Sequence, residues 1–380
     1  MRNTYTQRFN VDYTYPVYFT RDMFSQKNSI LRKAIAKCTG AESKIMVFID
    51  SGLVKAQPKL IGKVKRYLKI LPVIIPGGEC TKTARNTEKI IAHLMNNNMC
   101  RHSCVIAIGG GSVLDTVGYA STIYHRGLKL IRVPTTVLSQ NDAGIGVKNA
   151  INHAGSKNML GTFAAPSAVI NDVSFLTTLS TDDWTGGISE AFKIASIKDR
   201  QFFIWLCKNA DRLAKRDLSV MESLINKCAI LHLDHIRKAS DPFETGSARP
   251  LDYGHWSAHG LEVLSKGRIS HGHAVSIGIA LDSCYAMIQG FISKEDLARL
   301  LKGLTACGLP IWDRLLENKA TLSYLTSNAL EAFRIHMGGR LTIAMPCPIG
   351  KTTEIGSIDI NALHESLALL CFLAVTSKKK

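Results

Sequence analysis

The residues best suited to chemistry crowd into two short stretches, Asp252-Tyr253-Gly254-His255-Trp256-Ser257-Ala258-His259 and His271-Gly272-His273. They hold four of the chain's 12 histidines. Upstream, Glu190 and Lys193 stand three positions apart, and His255 and His259 stand four apart; either spacing puts both side chains on one helix face. One carboxylate and several imidazoles make a donor set for a divalent metal such as zinc. Three protein ligands would leave one coordination position open to a substrate. Taken singly, each histidine reads as a surface residue or a satisfied core residue. Their concentration points to a site, and spacing alone picks His255 and His259 as ligands together.

A second chemistry lies earlier. The apolar run Val105-Ile106-Ala107-Ile108 stops at Gly109-Gly110-Gly111, as a buried parallel strand ends. Bare glycine backbone at a helix start, with Ser112 placed to cap it, suits a phosphate or pyrophosphate. The stretch lacks the G-x-G-x-x-G spacing of the dinucleotide fingerprint, so alone it reads as a connecting turn. Its neighbours strengthen it. Leu130-Ile131-Arg132-Val133 ends in Pro134-Thr135-Thr136, which sets two hydroxyls at the same sheet edge. A Gly-rich loop from Asn141 to Asn158 carries Asp142, Lys148, Lys157 and Asn158. The apolar run 44–49 ends at Asp50, placed for a ribose hydroxyl or, more commonly, to cap the next helix.

Such groups need a scaffold, and the patterning supplies one of α/β class. One or two strands over 5–20, then strands at 44–49, 70–75, 105–108, 130–133 and 168–171, with helices at 30–36 and 84–96, describe a doubly wound, mostly parallel sheet. From about Leu179 the pattern becomes helix after helix. Ser180 to Asp183 has the form of a capping box, and the helix carrying Glu190 and Lys193 follows. Further helices are expected at 200–213, 218–237, 255–264, 274–288, 294–306, 318–335 and 361–375, with a strand pair near 340–350. The expectation is an α/β domain over 1–178 and an all-helical domain over 179–380. A chain of 380 residues, 46% hydrophobic, has the length for both.

A formal charge of +17 invites a nucleic-acid reading, but the cations are scattered, without aromatic interleaving, and suit an anionic small substrate. The ten cysteines sit mostly in apolar contexts; Cys100 and Cys104 have no second pair to complete a zinc site. Reduced thiols, no secretory signal and no apolar run of transmembrane length lead us to expect a cytoplasmic protein with no membrane partner.

Over nearly its whole length the chain resembles the 3-dehydroquinate synthase family of sugar phosphate cyclases. The resemblance rests on PGGECTK, GGGSVLDTVG, RVPTTVLSQNDAGIGVKNAINHAGSKNMLG, GGISEAFKIA, DYGHWSAHGLE and HGHAVSIG, in the family's order. It implies an NAD-binding sheet domain, a helical domain holding zinc or cobalt, and a sugar phosphate in the cleft between them. Its metal ligands fall on Glu190, His255 and His271, so His259 turns to the substrate. Its NAD contacts fall on Asp50, Glu79, Lys82, Gly110, Gly111, Ser112, Asp115, Thr135, Thr136, Lys148, Lys157 and Thr178. Substrate and proton-transfer contacts fall on Asp142, Lys148, Asn158, Lys193, Arg249 and His259, and Arg126 reaches the neighbouring site of a homodimer. The implied reaction removes a hydride to NAD, eliminates phosphate, returns the hydride, and closes a seven-carbon chain into a carbocycle with no net oxidation. Four positions depart from the family pattern: Asp234, the shifted Arg249, Asp252 and His273. They are expected to rewrite the wall that faces the substrate, so that it is anchored differently from that of 3-dehydroquinate synthase itself; the alternative is a sister cyclase making 2-epi-5-epi-valiolone or 2-deoxy-scyllo-inosose. A glycerol dehydrogenase-like metal alcohol dehydrogenase shares the two-domain plan.

Overall fold

The computed structural model describes residues 4–40, 43–238 and 250–377. Arg249 lies outside them.

Six strands form a wholly parallel sheet in the order β1-β8-β5-β4-β2-β3. They are β1 (Val17–Thr20), β2 (Ile45–Asp50), β3 (Val73–Ile75), β4 (Cys104–Gly109), β5 (Lys129–Pro134) and β8 (Ala168–Asp172). The two strands omitted from that list, β6 (Lys148–His153) and β7 (Ser156–Phe163), pair with each other as an antiparallel hairpin. Alternation along the central strands feeds two cores. Val47, Ile49, Ile106, Ile108, Ile131 and Val133 face one side of the sheet, while Met46, Phe48, Val105, Ala107 and Leu130 face the other. Helices α1 (Ile30–Cys38), α2 (Ser51–Ala56) and α3 (Leu60–Leu68) cover the first side; α4 (Ala84–Asn96) and α5 (Gly111–Ile123) cover the second.

The helical half is built on α6 (Thr181–Lys198), whose side chains are all buried from Trp184 to Ile197. Around it pack α7 (Arg200–Ala214), α8 (Leu218–Lys238), α9 (His255–Leu264), α10 (His271–Ile288), α11 (Lys294–Ala306), α12 (Lys319–Tyr324), α13 (Leu330–His336) and α14 (Ile360–Ser377). A small hairpin, β9 (Ile343–Pro346) with β10 (Thr352–Ile355), lies between α13 and α14. Helices α6 and α10 cross at Gly186 and Gly272: a Cβ on Gly272 would run into the Gly186 backbone. That close approach brings the first turn of α10 against the second turn of α6.

Four sequence expectations need correction. The Gly-rich loop over 141–158 is a π-turn (Ser139–Ala143) followed by the β6–β7 hairpin. Its two-residue turn, Ala154-Gly155, has φ values of 50° and 78°, the primed geometry that matches strand twist. The helix expected from 274 begins at His271, so His271 and His273 stand on a helix's first turn. The helix expected over 318–335 is interrupted by a π-turn at Leu325–Ala329. Finally, Ser112 does not cap α5. Gly110 takes the capping position without a side-chain bond, and the Ser112 hydroxyl lies 3.4 Å from Glu79 Oε2.

Candidate active site

The carboxyl ends of β2, β4 and β5 converge on one crevice. Asp50 closes β2 and caps α2, accepting from Gly52 N at 2.7 Å and Leu53 N at 3.4 Å. A Cβ on Gly77 would collide with its carboxylate, so the 77–82 segment lies against it. Beside it, Thr135 N donates to Gly109 O at 3.0 Å, and Thr136 Oγ1 lies 2.9 Å from Ser139 Oγ. A Cβ on Gly111 would meet only Ala143 Cβ, at 3.4 Å. The first turn of α5 therefore presents open backbone N–H groups with no capping side chain.

Two polar junctions tie this crevice to the hairpin. Lys82 Nζ donates to Asp115 Oδ2 on α5 at 2.6 Å and also to Asn158 Oδ1 on β7. Burial pushes the Asp115 carboxyl up, with Lys82 pulling the other way. Glu79 joins Ser112 to Asn152, whose Nδ2 donates at 2.7 Å; Asn152 Oδ1 in turn accepts from Asn158 N at 2.9 Å. Asn158 holds φ at 53°, the left-handed value that turns it back toward α5. The buried guanidinium of Arg132 anchors the hairpin's other strand, donating to Gly146 O at 2.7 Å, Lys148 O at 2.9 Å and Asn149 Oδ1 at 2.6 Å.

The second cluster joins α6, α9 and α10. Donor atoms of Glu190, His255 and His271 all lie within 4.8 Å of one another. Both His255 Nε2 and His271 Nε2 stand 3.6 Å from Glu190 Oε1, a buried oxygen that accepts no hydrogen bond. Lys193, one turn along α6, pairs with Glu190 Oε2. Burial alone would raise the Glu190 carboxyl, but Lys193 overrides it and holds it down to about 2. Burial and the Lys193 charge keep His255 neutral, its pKa lowered to about 3. Burial opposes the charge on His271 too, yet the Glu190 and Glu262 carboxylates raise it to about 10. A buried carboxylate oxygen that accepts no hydrogen bond, flanked at 3.6 Å by the Nε2 atoms of two imidazoles, fits a cation seated among the three donors.

His259 is exposed and falls in a different grouping, with Glu262 and His271. Its ring meets that of His255 edge-on at 5.6 Å. Helical spacing put the two on one face without aiming them at one point.

Two participants escaped sequence reading. Glu262 accepts from His271 Nδ1 at 3.1 Å through one oxygen and from Lys157 Nζ at 2.7 Å through the other. It stands three after His259 and seven after His255 on the same helix face, a signal that was available. His232 on α8 places Nδ1 2.6 Å from Asp142 Oδ1, and Lys193 Nζ lies 3.8 Å from Asp142 Oδ2. Burial opposes the Asp142 charge, but Lys193 and His232 hold its carboxyl well below the usual carboxylate range. His232 extends the buried stripe through Ile225 and Cys228, where a polar residue ending an apolar stripe is the legible clue.

Arg126 sits in an exposed left-handed turn beyond the C-terminus of α5, about 20 Å from that helix's N-terminus. Thr178 is exposed and accepts from Gln57. Lys148 is exposed on β6. Asp234 pairs with Arg237 and Lys238 of its own helix at 3.0 and 3.1 Å, and His273 Nε2 lies 3.2 Å from Thr185 Oγ1. Asp252 contributes to the negative field that raises Lys193.

Two family models match consecutive parts of the chain: 3-dehydroquinate synthase N-terminal over residues 72–186, and 3-dehydroquinate synthase C-terminal over residues 187–329. A 3-dehydroquinate synthase of Buchnera aphidicola subsp. Baizongia pistaciae is 33% identical over 356 residues, spanning 92% of this chain and 96% of that protein. Among solved structures, a 2-epi-5-epi-valiolone synthase from Streptomyces hygroscopicus subsp. jinggangensis with NAD+ and Zn2+ bound gives a TM-score of 0.86 at 24% identity, over 97% of this chain and 99% of that one. A 2-deoxy-scyllo-inosose synthase complexed with carbaglucose-6-phosphate, NAD+ and Co2+ gives 0.75 at 20% identity, over 92% and 95%. At those identities the two structures speak to the fold.

Proposed function

The chain belongs to the 3-dehydroquinate synthase family and is a sugar phosphate cyclase, and from that premise we propose how its parts divide the work. Gly110-Gly111-Ser112 would hold the pyrophosphate of NAD, and Asp50 its adenosine ribose. A divalent zinc or cobalt ion would be held by Glu190, His255 and His271. The substrate is a seven-carbon sugar phosphate of the 3-deoxy-arabino-heptulosonate 7-phosphate type. The observation that carries the reading is Glu190 Oε1, buried, without a hydrogen bond and flanked at 3.6 Å by two imidazole nitrogens. When bound, NAD would take up and return a hydride, and the metal would acidify a ring hydroxyl.

The chain's own side chains do the rest. Lys193, held charged between Asp142 and Glu190, supplies fixed positive charge where an oxyanion develops. Asp142, held ionised, accepts from a substrate hydroxyl. Lys148 and Asn158 on the hairpin face the phosphate, and His259 turns its exposed ring to the substrate. Arg126, on an exposed turn, is the residue that the family resemblance assigns to the phosphate site of a neighbouring copy in a homodimer. Lys193 stands against the acidic Asp252, and Asp234 is already paired within its own helix, so neither carboxylate is left to repel the carboxylate of a seven-carbon keto acid phosphate.

The test is phosphate released from 3-deoxy-arabino-heptulosonate 7-phosphate beside sedoheptulose 7-phosphate and glucose 6-phosphate, with NAD and zinc present and NADH followed throughout. Efficient turnover of the first alone, without net NADH, is expected. Preference for either other sugar would reassign the substrate, and net NADH would indicate a dehydrogenase.

A further inference from the structure

Helix α8 ends its buried stripe on an imidazole that neither the metal cluster nor the nucleotide crevice needs. His232 lies four residues after the buried Cys228, on the face turned to the cleft, whereas Asp234 points elsewhere and is paired. Its Nδ1 is 2.6 Å from Asp142 Oδ1, and the side chain is 15% exposed. Its Nε2 lies beside the next loop, where a Cβ on Gly146 would come within 3.7 Å. The ring is thus wedged between the π-turn carrying Asp142 and the backbone leading to Lys148. Asp142 Oδ2 is left facing Lys193 at 3.8 Å.

We propose that His232 is a positioning residue for Asp142: its Nδ1–H holds one carboxylate oxygen so that the other faces Lys193 and the substrate. The inference rests on the cyclase reading for what Asp142 does, but not for the bond itself. A carboxylate on a short π-turn has rotamers to lose, and an unheld one spends most of its time out of line. Because His232 belongs to the helical half and Asp142 to the sheet half, the bond also sets the two walls of the cleft against each other at the reacting centre.

Asparagine and glutamine separate this role from mere packing. An Asn amide nitrogen falls near the position of Nδ1, and a Gln amide nitrogen near that of Nε2. His232→Leu should lower kcat/KM on the order of 10- to 100-fold, the loss lying mainly in kcat, with NAD and zinc affinities unchanged. His232→Asn should recover most of that loss and His232→Gln little. An Asn variant as poor as Leu, a Gln variant as good as Asn, or a Leu variant as active as wild type overturns the proposal; matching thermal melts exclude unfolding as the cause. If wild type releases no phosphate from any sugar, the cyclase reading fails on its own. The bond is then judged by 15N NMR of the imidazole: a protonated, hydrogen-bonded Nδ1 upholds it, and a bare Nδ1 overturns it.

Discussion

Glu262 shows how much a single buried carboxylate can organise. It is 6% exposed, and its two oxygens reach in opposite directions, to His271 Nδ1 on α10 and to Lys157 on the hairpin. Accepting from Nδ1 leaves Nε2 as the nitrogen turned toward Glu190. A carboxylate behind a ligand imidazole fixes the ring's tautomer and raises its basicity. Burial opposes the charge on Glu262, but the His271 hydrogen bond and the nearby Lys157 lower its pKa to about 2. Glu262→Ala should therefore weaken zinc binding about 10- to 100-fold. Glu262→Gln, whose carbonyl oxygen still accepts from Nδ1, should lose less. Competition against a chelator and the visible spectrum of the cobalt-loaded protein read this directly, and an alanine variant with unchanged zinc affinity would sink the assignment.

At the scale of elements, α9 is aimed by a clamp from α10. Asp282, 1% exposed, accepts from Gly254 N at 2.9 Å and Trp256 Nε1 at 2.8 Å, and these two residues bracket His255. Burial raises its pKa to about 7, against the pull of those bonds. An unfolded aspartate loses its proton near pH 4. Between about pH 4 and 7 the folded chain thus keeps a proton that the unfolded chain has lost, and stability falls as pH rises. Asp282→Asn has no such proton, so its melting temperature should fall less steeply across that window than that of wild type; parallel curves would refute the prediction. The N-terminus of α5 offers a second test of element placement. A Cβ on Gly111 meets the protein only at Ala143, at an ordinary contact distance. Gly111→Val should accordingly melt near wild type yet fail to bind NAD in calorimetry, and normal binding would move the pyrophosphate elsewhere.

Across the whole molecule, the sheet half contributes an open crevice and a polar hairpin, and the helical half contributes the metal-type donors. Lys157–Glu262, Asp142–His232 and Asp142–Lys193 are among the contacts that join them at the site. Among the described residues, no helix is long and apolar enough to cross a membrane. The formal charge of +17 gives the chain a net positive field that favours the approach of an anionic sugar phosphate. Raising ionic strength from about 0.01 to 0.15 M shortens the Debye length from roughly 30 to 8 Å. Over that range kcat/KM for an anionic substrate should fall several-fold while kcat stays nearly constant. A salt-independent kcat/KM would show that the field plays no part in capture.

The α/β class, the parallel strands and most helix limits were legible in the sequence, because periodicity, glycine stops and capping residues are properties of a few consecutive positions. The same local rules placed Gly109-Gly110-Gly111 and Thr135-Thr136 at one sheet edge, since parallel strands must end on the same side. They misread the 141–158 stretch as a loop, because its glycines hid a hairpin whose strands are nearly all polar or exposed. Spacing paired His255 with His259, yet which donors meet is decided by the close crossing of α6 and α10 at Gly186 and Gly272, a contact between segments far apart in the chain. Asp142 with His232 and Glu262 with His271 and Lys157 are likewise products of packing. No local pattern could choose those partners, because only the folded chain determines which buried charges must face each other.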